Sequence, residues 1–332
     1  MSRSTLLLEP VPPFRLDLTV WTLRRRPDNA VDHWDGHIYR RVLPSPAGPV
    51  EVGVAQVGPP DTPQLRVAVQ GQPLRAPVKA AVASALERLL GLRINLAAFY
   101  RFAARQEPLG QLAQRFRGMK PPRLASVFES LINAIACQQV TLTLGIRLLN
   151  GLAANYGPVL HDGDVTVHAF PRPEDLAGLR PDELRRLGFS RQKGRAMIEL
   201  ARSITEGRVD LEGLAALPDE EAVERLRRLR GVGRWTAEYV LLRGLGRTHV
   251  FPGDDVGARA NLERWLRLAE PLDYEGVRST LAKWYPYGGL IYFHLLLDRL
   301  AEAGTLTDAP LPTPPLSSRT GRATITDKET HS

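Results

Sequence analysis

The sequence has 332 residues, of which 43% are hydrophobic, and these values are ordinary for a globular protein with two or three subdomains. No apolar run is long enough to span a membrane and the N-terminus lacks a signal-peptide pattern, so we expect a cytoplasmic protein without a membrane partner. The single cysteine, Cys137, excludes intramolecular disulfides and four-cysteine metal clusters, and the net charge of +8 suits a polyanionic partner.

The first part of the chain, residues 1–92, is predicted to form a small α+β domain with an antiparallel sheet. Apolar and polar residues alternate over 14–20, 50–54 and 65–69, and Pro and Gly residues separate these segments. Such a pattern is typical of antiparallel strands. Apolar residues at helical spacing then predict a helix over 76–91.

The second part, residues 93–304, is predicted to be helical nearly throughout. Two apolar helices are expected over 124–137 and 142–155. Ser190 and Asp219 have the residue type and the position of helix N-caps.

Capped amphipathic helices with short connectors indicate a mostly α fold, an all-helical bundle that follows the α+β domain. Residues 305–332 are rich in Pro, Ser, Thr and Asp and contain few large apolar side chains. We expect this last segment to be a disordered tail.

A helical hairpin is predicted over about 220–244. Gly231 and Gly233 lie between two apolar helical segments, and glycines at this spacing favour a tight turn. The first N–H groups of the second helix would then face outward, with the positive end of the helix dipole behind them, which suits a phosphate. Arg230 and Arg234 flank the turn and add positive charge.

The segment Leu229–Ala237, followed after Phe-Pro-Gly by two aspartates, resembles the helix-hairpin-helix signature of the DNA glycosylase superfamily. Within that superfamily the chain most resembles the 3-methyladenine-DNA glycosylase II (alkylbase glycosylase) branch, over about residues 10–305. The resemblance implies a monomeric helix-hairpin-helix glycosylase that flips alkylated purines, such as 3-methyladenine and 7-methylguanine, out of duplex DNA during base excision repair.

By the spacing of this family, the catalytic residue is Asp255. A carboxylate near C1′ either stabilises the positive charge that develops on the deoxyribose when the bond to the base breaks, or orients the attacking water. The neighbouring Asp254 is expected to cap the following helix, and a simple N-cap is the structural alternative for Asp255 itself.

The resemblance also implies an aromatic pocket for the base, formed by Trp235, Tyr239 and Tyr287, with Trp21 closing it from the N-terminal domain. Electron-rich rings attract a cationic base. Trp235 stands where bifunctional relatives have a lysine that forms a Schiff base, so we expect base release without strand cleavage. Core packing is the alternative role for each of these rings.

Two glutamines, Gln138 and Gln139, lie between two apolar helices. By resemblance, this turn enters the duplex and fills the gap left by the extruded base. A polar cap at the helix junction is the alternative.

The hairpin from Arg230 to Thr236 would bind phosphates through backbone N–H groups, independently of base sequence. No cofactor is expected to be required. Family likeness makes the carbonyls of Arg227, Leu229 and Val232 candidates to hold a Na⁺ or K⁺ ion.

Two other functions fit the same residues. One is a superfamily glycosylase for deaminated or oxidised bases, which would differ in the neighbourhood of Tyr287. The other is a structure-specific DNA-binding protein that uses the hairpin for phosphate contact and catalyses nothing.

Overall fold

The N-terminal unit combines an antiparallel sheet with helices. This computed structural model describes residues 4–162 and 165–306. The strands are β1 (Ser4–Leu8), β2 (His33–Trp34), β3 (Ile38–Leu43), β4 (Val50–Gln56) and β5 (Leu65–Gln70), and the helices are α1 (Leu16–Arg24) and α2 (Ala76–Leu90). The sheet has the order β1-β5-β4-β3-β2, and every neighbouring pair is antiparallel.

The alternation that predicts β4 and β5 is confirmed. Val52 of β4 pairs with Val69 of β5, and both are fully buried on the inner face of the sheet. Helix α2 contributes Val82 and Leu86 to the same hydrophobic cluster. Burial of each such side chain favours folding by about 1.5–3 kcal/mol, so the alternating pattern determines which face of the sheet packs on the helix.

The predicted strand over 14–20 is wrong, because most of these residues belong to helix α1. Leu16, Leu18 and Val20 are buried, and Thr22 is buried on the same helix. A helix that is covered on nearly all sides has no polar face, so its sequence lacks the usual 3.6-residue period. The short alternation of apolar and polar residues in α1 therefore imitates a strand.

The rest of the described chain is mostly helical. The helices are α3 (Ala97–Ala103), α4 (Leu109–Arg115), α5 (Val127–Cys137), α6 (Leu142–Tyr156), α7 (Pro173–Ala177), α8 (Pro181–Arg186), α9 (Arg191–Thr205), α10 (Asp219–Arg227), α11 (Arg234–Arg243), α12 (Val256–Leu266), α13 (Tyr274–Leu281) and α14 (Gly288–Glu302), with 3₁₀ turns at Glu212–Ala216 and Ala282–Trp284. A small antiparallel hairpin, β6 (Val159–Asp162) and β7 (Val165–His168), interrupts this part, and the sequence does not predict it. Strands this short give no readable period.

The two predicted helix caps have different outcomes. Ser190 caps α9, because its side chain accepts the N–H of Lys193. Asp219 lies in the first turn of α10 instead of capping it, and its carboxylate pairs with Arg247 and His249. A tertiary ion pair has here replaced the local contact that the residue type suggests.

The predicted domain division at residues 92 and 93 falls in the connection between α2 and α3. The predicted tail begins at residue 305, and residues 307–332 lie outside the described residues. Across 4–162 and 165–306, no helix combines the length and the apolar character needed to cross a membrane.

A buried ion cluster joins the sheet to the helical part. Arg41 of β3 lies 2.7 Å from Asp32 and 2.6 Å from Glu129 of α5, and all three side chains are at most 5% exposed. The Tyr39 hydroxyl donates to Asp32. Burial raises the pKa of the Glu129 carboxyl, and the Arg41 guanidinium opposes that rise. The cluster therefore fixes α5, the helix that leads to Gln138, against the sheet.

Candidate active site

The turn between α10 and α11 has the geometry that its two glycines predict. Gly231 has a φ of 78°, and a Cβ added there would lie 3.1 Å from the side chain of Ala196. Gly233 is the exposed N-cap residue of α11, with open space around it. The first N–H groups of α11 lack a carbonyl partner within their own helix and start at an open surface, and this arrangement suits an anion.

The two arginines of this turn are paired with carboxylates. Arg230 contacts Glu199 of α9 at 2.5 Å. Arg234 binds Asp254 through two nitrogens, at 2.7 and 3.0 Å. Phosphate binding by either arginine stays a prediction, and it requires a phosphate to share or displace a carboxylate.

Asp255 is the N-cap residue of α12. Its Oδ1 accepts the N–H of Ala258 at 2.9 Å, and its Oδ2 accepts the indole N–H of Trp235 at 3.2 Å. The expectation that Asp254 caps this helix is wrong, because Asp254 is engaged by Arg234. The half-buried Asp255 carboxylate thus caps a helix with one oxygen and directs the other to the helix that follows the hairpin.

Trp235 and Tyr239 lie on one face of α11, with ring centroids 5.6 Å apart. Tyr239 is only 2% exposed. Its hydroxyl donates to Asn133 at 2.9 Å and accepts from Arg25 at 3.2 Å. Burial raises the pKa of Tyr239, although nearby guanidinium groups oppose the shift. Tyr239 is therefore a fixed, neutral side chain behind Trp235.

Sequence reasoning missed three residues around Tyr239, namely Arg25 and Asn133, which hydrogen-bond to its hydroxyl, and Tyr292. Burial raises the pKa of Tyr292, and the charge of Asp255 raises it further. Tyr292 lies within the apolar run of α14, and Arg25 is the middle member of three consecutive arginines. Neither position carries a local signal, because the site forms only when distant elements pack together.

The other two predicted pocket aromatics, Trp21 and Tyr287, belong to a shared hydrophobic cluster. The Tyr287 ring lies 5.3 Å from Phe99 and 5.1 Å from Phe102, between centroids. The Arg24 guanidinium stands 5.0 Å from the centroid of Trp21. These contacts are those of core packing, and a role of either ring in a base pocket stays a prediction.

The turn at Gln138 and Gln139 holds one glutamine and exposes the other. The Gln138 amide donates to the Gly231 carbonyl at 2.8 Å and to the hydroxyl of the buried Thr236 at 2.9 Å. Gln139 is exposed, with a φ of 52° that non-glycine residues seldom adopt. The turn is thus tied to the hairpin, and Gln139 is the glutamine that is free to reach outward.

Lys193 supports this turn, and Lys193→Met is expected to destabilise it. The ammonium group donates to the carbonyls of Ala136 and Gln138, at 3.0 and 2.6 Å. Its loss leaves two carbonyls at the end of α5 without a donor, at a cost of about 1–3 kcal/mol. Thermal denaturation measures the loss of stability, and lesion-duplex binding should weaken with it. Lys79→Met, which removes an exposed charge on α2, is the control; equal behaviour of the two variants contradicts the prediction.

A cleft of 520 Å³ lies between α9 and α10, and Asp255 does not line it. Its apolar wall includes Leu200 and Leu226, and Arg230 stands at its edge near the hairpin. The contacts that Asp255 makes, and not this cleft, therefore define the candidate active site.

Known proteins share both the sequence and the fold of this region. A model of the HhH-GPD superfamily of base excision DNA repair proteins matches residues 132–287. The chain is 33% identical over 177 residues to a putative DNA-3-methyladenine glycosylase, YfjP, of Bacillus subtilis, which covers 53% of this chain and 60% of the relative. It is 34% identical to DNA-3-methyladenine glycosylase 2 of Escherichia coli, over 44% of this chain and 51% of the relative.

A solved structure extends the likeness to most of the molecule. A 3-methyladenine DNA-glycosylase from Archaeoglobus fulgidus superposes with a TM-score of 0.77 at 27% identity, covering 89% of this chain and 99% of that one. The chain spans about half to three fifths of the length of the two curated relatives above. The matched segment begins in α5 and ends at Tyr287, so it contains the glutamine turn, the hairpin and Asp255. Residues 132–287, with the fold around them, are therefore similar to the HhH-GPD superfamily of base excision DNA repair proteins.

Proposed function

We propose that this protein is a DNA glycosylase that hydrolyses the N-glycosidic bond of alkylated purines in duplex DNA. The main observation in support is the Asp255 carboxylate, which accepts hydrogen bonds from Ala258 and Trp235 directly beyond the hairpin. The relatives named above are 3-methyladenine glycosylases, and their names support the substrate class. The match of residues 132–287 to a family of base excision DNA repair proteins supports this repair pathway as the process.

The chemistry required of Asp255 is electrostatic. A purine alkylated at N3 or N7 is cationic while bound to the sugar and departs neutral when the C1′–N bond breaks, so the leaving base needs no proton. The bonding electrons leave with the base and the sugar becomes positively charged. A preorganised carboxylate stabilises this charge, most strongly where water is partly excluded. Water then attacks C1′ and gives its proton to the carboxylate, leaving an abasic site.

The hairpin and the glutamine turn would hold the DNA. The N-terminus of α11, which starts beside the open surface at Gly233, offers backbone N–H groups to a phosphate without reading base sequence. Gln139 is exposed on a turn that Gln138 ties to the hairpin. A phosphate contact and the filling of the gap in the duplex would therefore occur on one connected surface.

A monovalent cation is also part of the proposal. Its ligands would be the carbonyls of Arg227, Leu229 and Val232, which are neutral oxygen donors of the kind that Na⁺ and K⁺ accept. The Leu229 carbonyl already accepts the Val232 N–H at 3.2 Å, so this carbonyl oxygen faces the backbone of the turn itself. The ion would add positive charge next to a bound phosphate.

We propose hydrolysis without strand cleavage, because Trp235 has no amine. Incubation with abasic DNA and borohydride should therefore give no covalent complex, since trapping requires a Schiff base. Trp235→Lys places an amine on α11 at the residue that now contacts Asp255, and it should become trappable. Trapping of the unaltered protein contradicts the proposal.

The decisive experiment is incubation with methylated genomic DNA, followed by chromatographic identification of the released bases. Release of 3-methyladenine and 7-methylguanine is expected, and no release of any base overturns the proposal.

The assay should include duplexes with deaminated purines, because Arg25 and Arg243 are buried beside Tyr239. Their charge disfavours a cationic base at that end of the site and favours a departing base that carries negative charge. Preferential release of hypoxanthine would support this second candidate substrate.

A further inference from the structure

The loop that carries Asp255 is held from behind by a buried carboxylate. Glu238 of α11 is 9% exposed. Its Oε2 accepts the backbone N–H of Gly253 at 3.2 Å, and its Oε1 accepts the hydroxyl of Tyr274 at 2.6 Å. Both carboxylate oxygens are thus used to hold the segment that ends at Asp255.

The aromatic ring of Tyr274 also packs against the loop that carries Asp255. A Cβ added to Gly253 would lie 2.7 Å from a ring carbon of Tyr274, so the loop backbone packs directly on the ring. The guanidinium of Arg234 stands 3.7 Å from the centroid of this ring and binds both oxygens of Asp254. The two residues before Asp255 are therefore each held by α11, α13 or both.

A single helix makes the contacts on both sides of the carboxylate. Trp235 and Glu238 are three residues apart on α11, and residues at this spacing lie on one helix face. Trp235 reaches Oδ2 of Asp255, and Glu238 reaches the backbone two residues earlier. The position of the Asp255 carboxylate relative to the hairpin is consequently set by one rigid element.

Burial makes the ionised form of Glu238 energetically unfavourable. Burial raises the pKa of this carboxyl, and the hydrogen bonds from Tyr274 and Gly253 lower it only in part. A neutral residue of similar size would avoid this cost. The carboxylate contributes what an apolar residue could not, namely two acceptors that hold Tyr274 and the loop at defined positions.

We propose that Glu238 is a positioning residue for Asp255. It fixes the backbone at Gly253 so that the Asp255 carboxylate stays within reach of Trp235 and of the sugar. This inference rests on the proposed glycosylase function for its kinetic consequence, and on the geometry alone for its effect on the Asp255–Trp235 contact.

Three variants test the proposal, and each is checked for folding by circular dichroism. In Glu238→Ala the single-turnover rate constant of base release should fall by up to about 100-fold, because small displacements of a catalytic group have effects of this order. Affinity for a lesion-bearing duplex should stay unchanged. Glu238→Gln should retain most of the rate, because its amide can accept from Gly253 and donate to the Tyr274 oxygen. Tyr274→Phe removes one of the two hydrogen bonds to Glu238, so its rate constant should lie between those of the unaltered protein and Glu238→Ala.

A second measurement does not depend on activity. The indole N–H resonance of Trp235, identified by its absence in Trp235→Phe, reports the hydrogen bond to Asp255. It should move in Glu238→Ala toward its position in Asp255→Asn, and it should stay in place in Glu238→Gln.

The outcomes separate the two proposals. An unmoved resonance in Glu238→Ala overturns the positioning role, and so does an unchanged rate of base release. If the rate constant of base release falls as much in Glu238→Gln as in Glu238→Ala, the positioning role is also overturned. If the unaltered protein releases no base, the glycosylase function fails, and the resonance still decides the role of Glu238.

Discussion

Asp255→Asn is expected to lower the single-turnover rate constant of base release by about 100- to 1,000-fold, the usual effect of removing a group that stabilises transition-state charge. A neutral amide cannot balance the positive charge on the sugar. The asparagine oxygen can still accept the N–H of Ala258, so the cap of α12 and the fold should persist. Quenched single-turnover assays with a 7-methylguanine duplex measure the rate, and fluorescence anisotropy measures duplex binding, which should be retained.

Asp273→Asn is the matched control for this variant. Asp273 caps α13 by accepting the N–H of Gly276 at 2.7 Å, as Asp255 caps α12. The chemical change is identical. The asparagine oxygen can keep the cap, so the neighbouring Tyr274 should stay in place and base release should proceed at the original rate. Full activity of Asp255→Asn, or an equal loss in the control, would remove Asp255 from the mechanism.

Arg41→Met should lower the free energy of unfolding by about 3–5 kcal/mol, the cost of leaving a buried ion without its partner. Arg41 is the cation between Asp32 and Glu129, and the methionine fills much of its volume without replacing its charge. Chemical denaturation monitored by circular dichroism measures the difference. Arg40→Met, one residue away on β3, removes an exposed pair with Asp35 and should cost at most about 1 kcal/mol.

The stability deficit of Arg41→Met should also depend on pH. Burial already raises the pKa of Glu129, and removal of the opposing guanidinium raises it further. A carboxyl whose pKa is higher in the folded protein favours folding when protonated and disfavours it when ionised. The deficit should therefore be smallest in acid and should grow as the pH rises through the pKa of Glu129. Equal deficits at about pH 5 and about pH 8 would show that the carboxylates do not cause it.

Much of the helical part could be predicted because its signals are local. Two glycines at this spacing between helices, Gly231 and Gly233, favour a tight turn by themselves. Ser190 caps its helix through a hydrogen bond to the backbone three residues further along the chain. Helix α2 of the N-terminal unit is a similar case, because its apolar period predicts a helix with one buried face. In each case the residues that decide the structure are close neighbours in sequence.

The failures arise where tertiary contacts override local preference. Helix α1 is covered nearly all round, so its period disappears. Asp254 and Asp219 have the residue type of a cap, but partners distant in sequence, Arg234 and Arg247, engage them instead. Nothing within one helix turn of these residues reveals such partners.

The candidate site shows the same division. The catalytic assignment of Asp255 depends on its spacing from the hairpin, which the chain itself carries. The contacts of Asp255 with Trp235 and of Tyr239 with Arg25 join separate elements, and the sequence alone predicts neither. Glu238 is a similar case, because its helix neighbours do not show that it holds the loop of Gly253.

Arg243, at the end of α11, makes the helical part dependent on the N-terminal unit. It is completely buried, and its guanidinium donates to the carbonyls of Thr22 and Leu23 in α1, at 2.8 and 3.3 Å. A shortened chain that starts at residue 93 would lack these acceptors and would expose apolar side chains, such as Leu96 and Phe99, that share a hydrophobic cluster with Leu18 of α1. The helical part of this protein should consequently not be transferable as an autonomous module, and grafts between relatives would need to carry α1 together with α11.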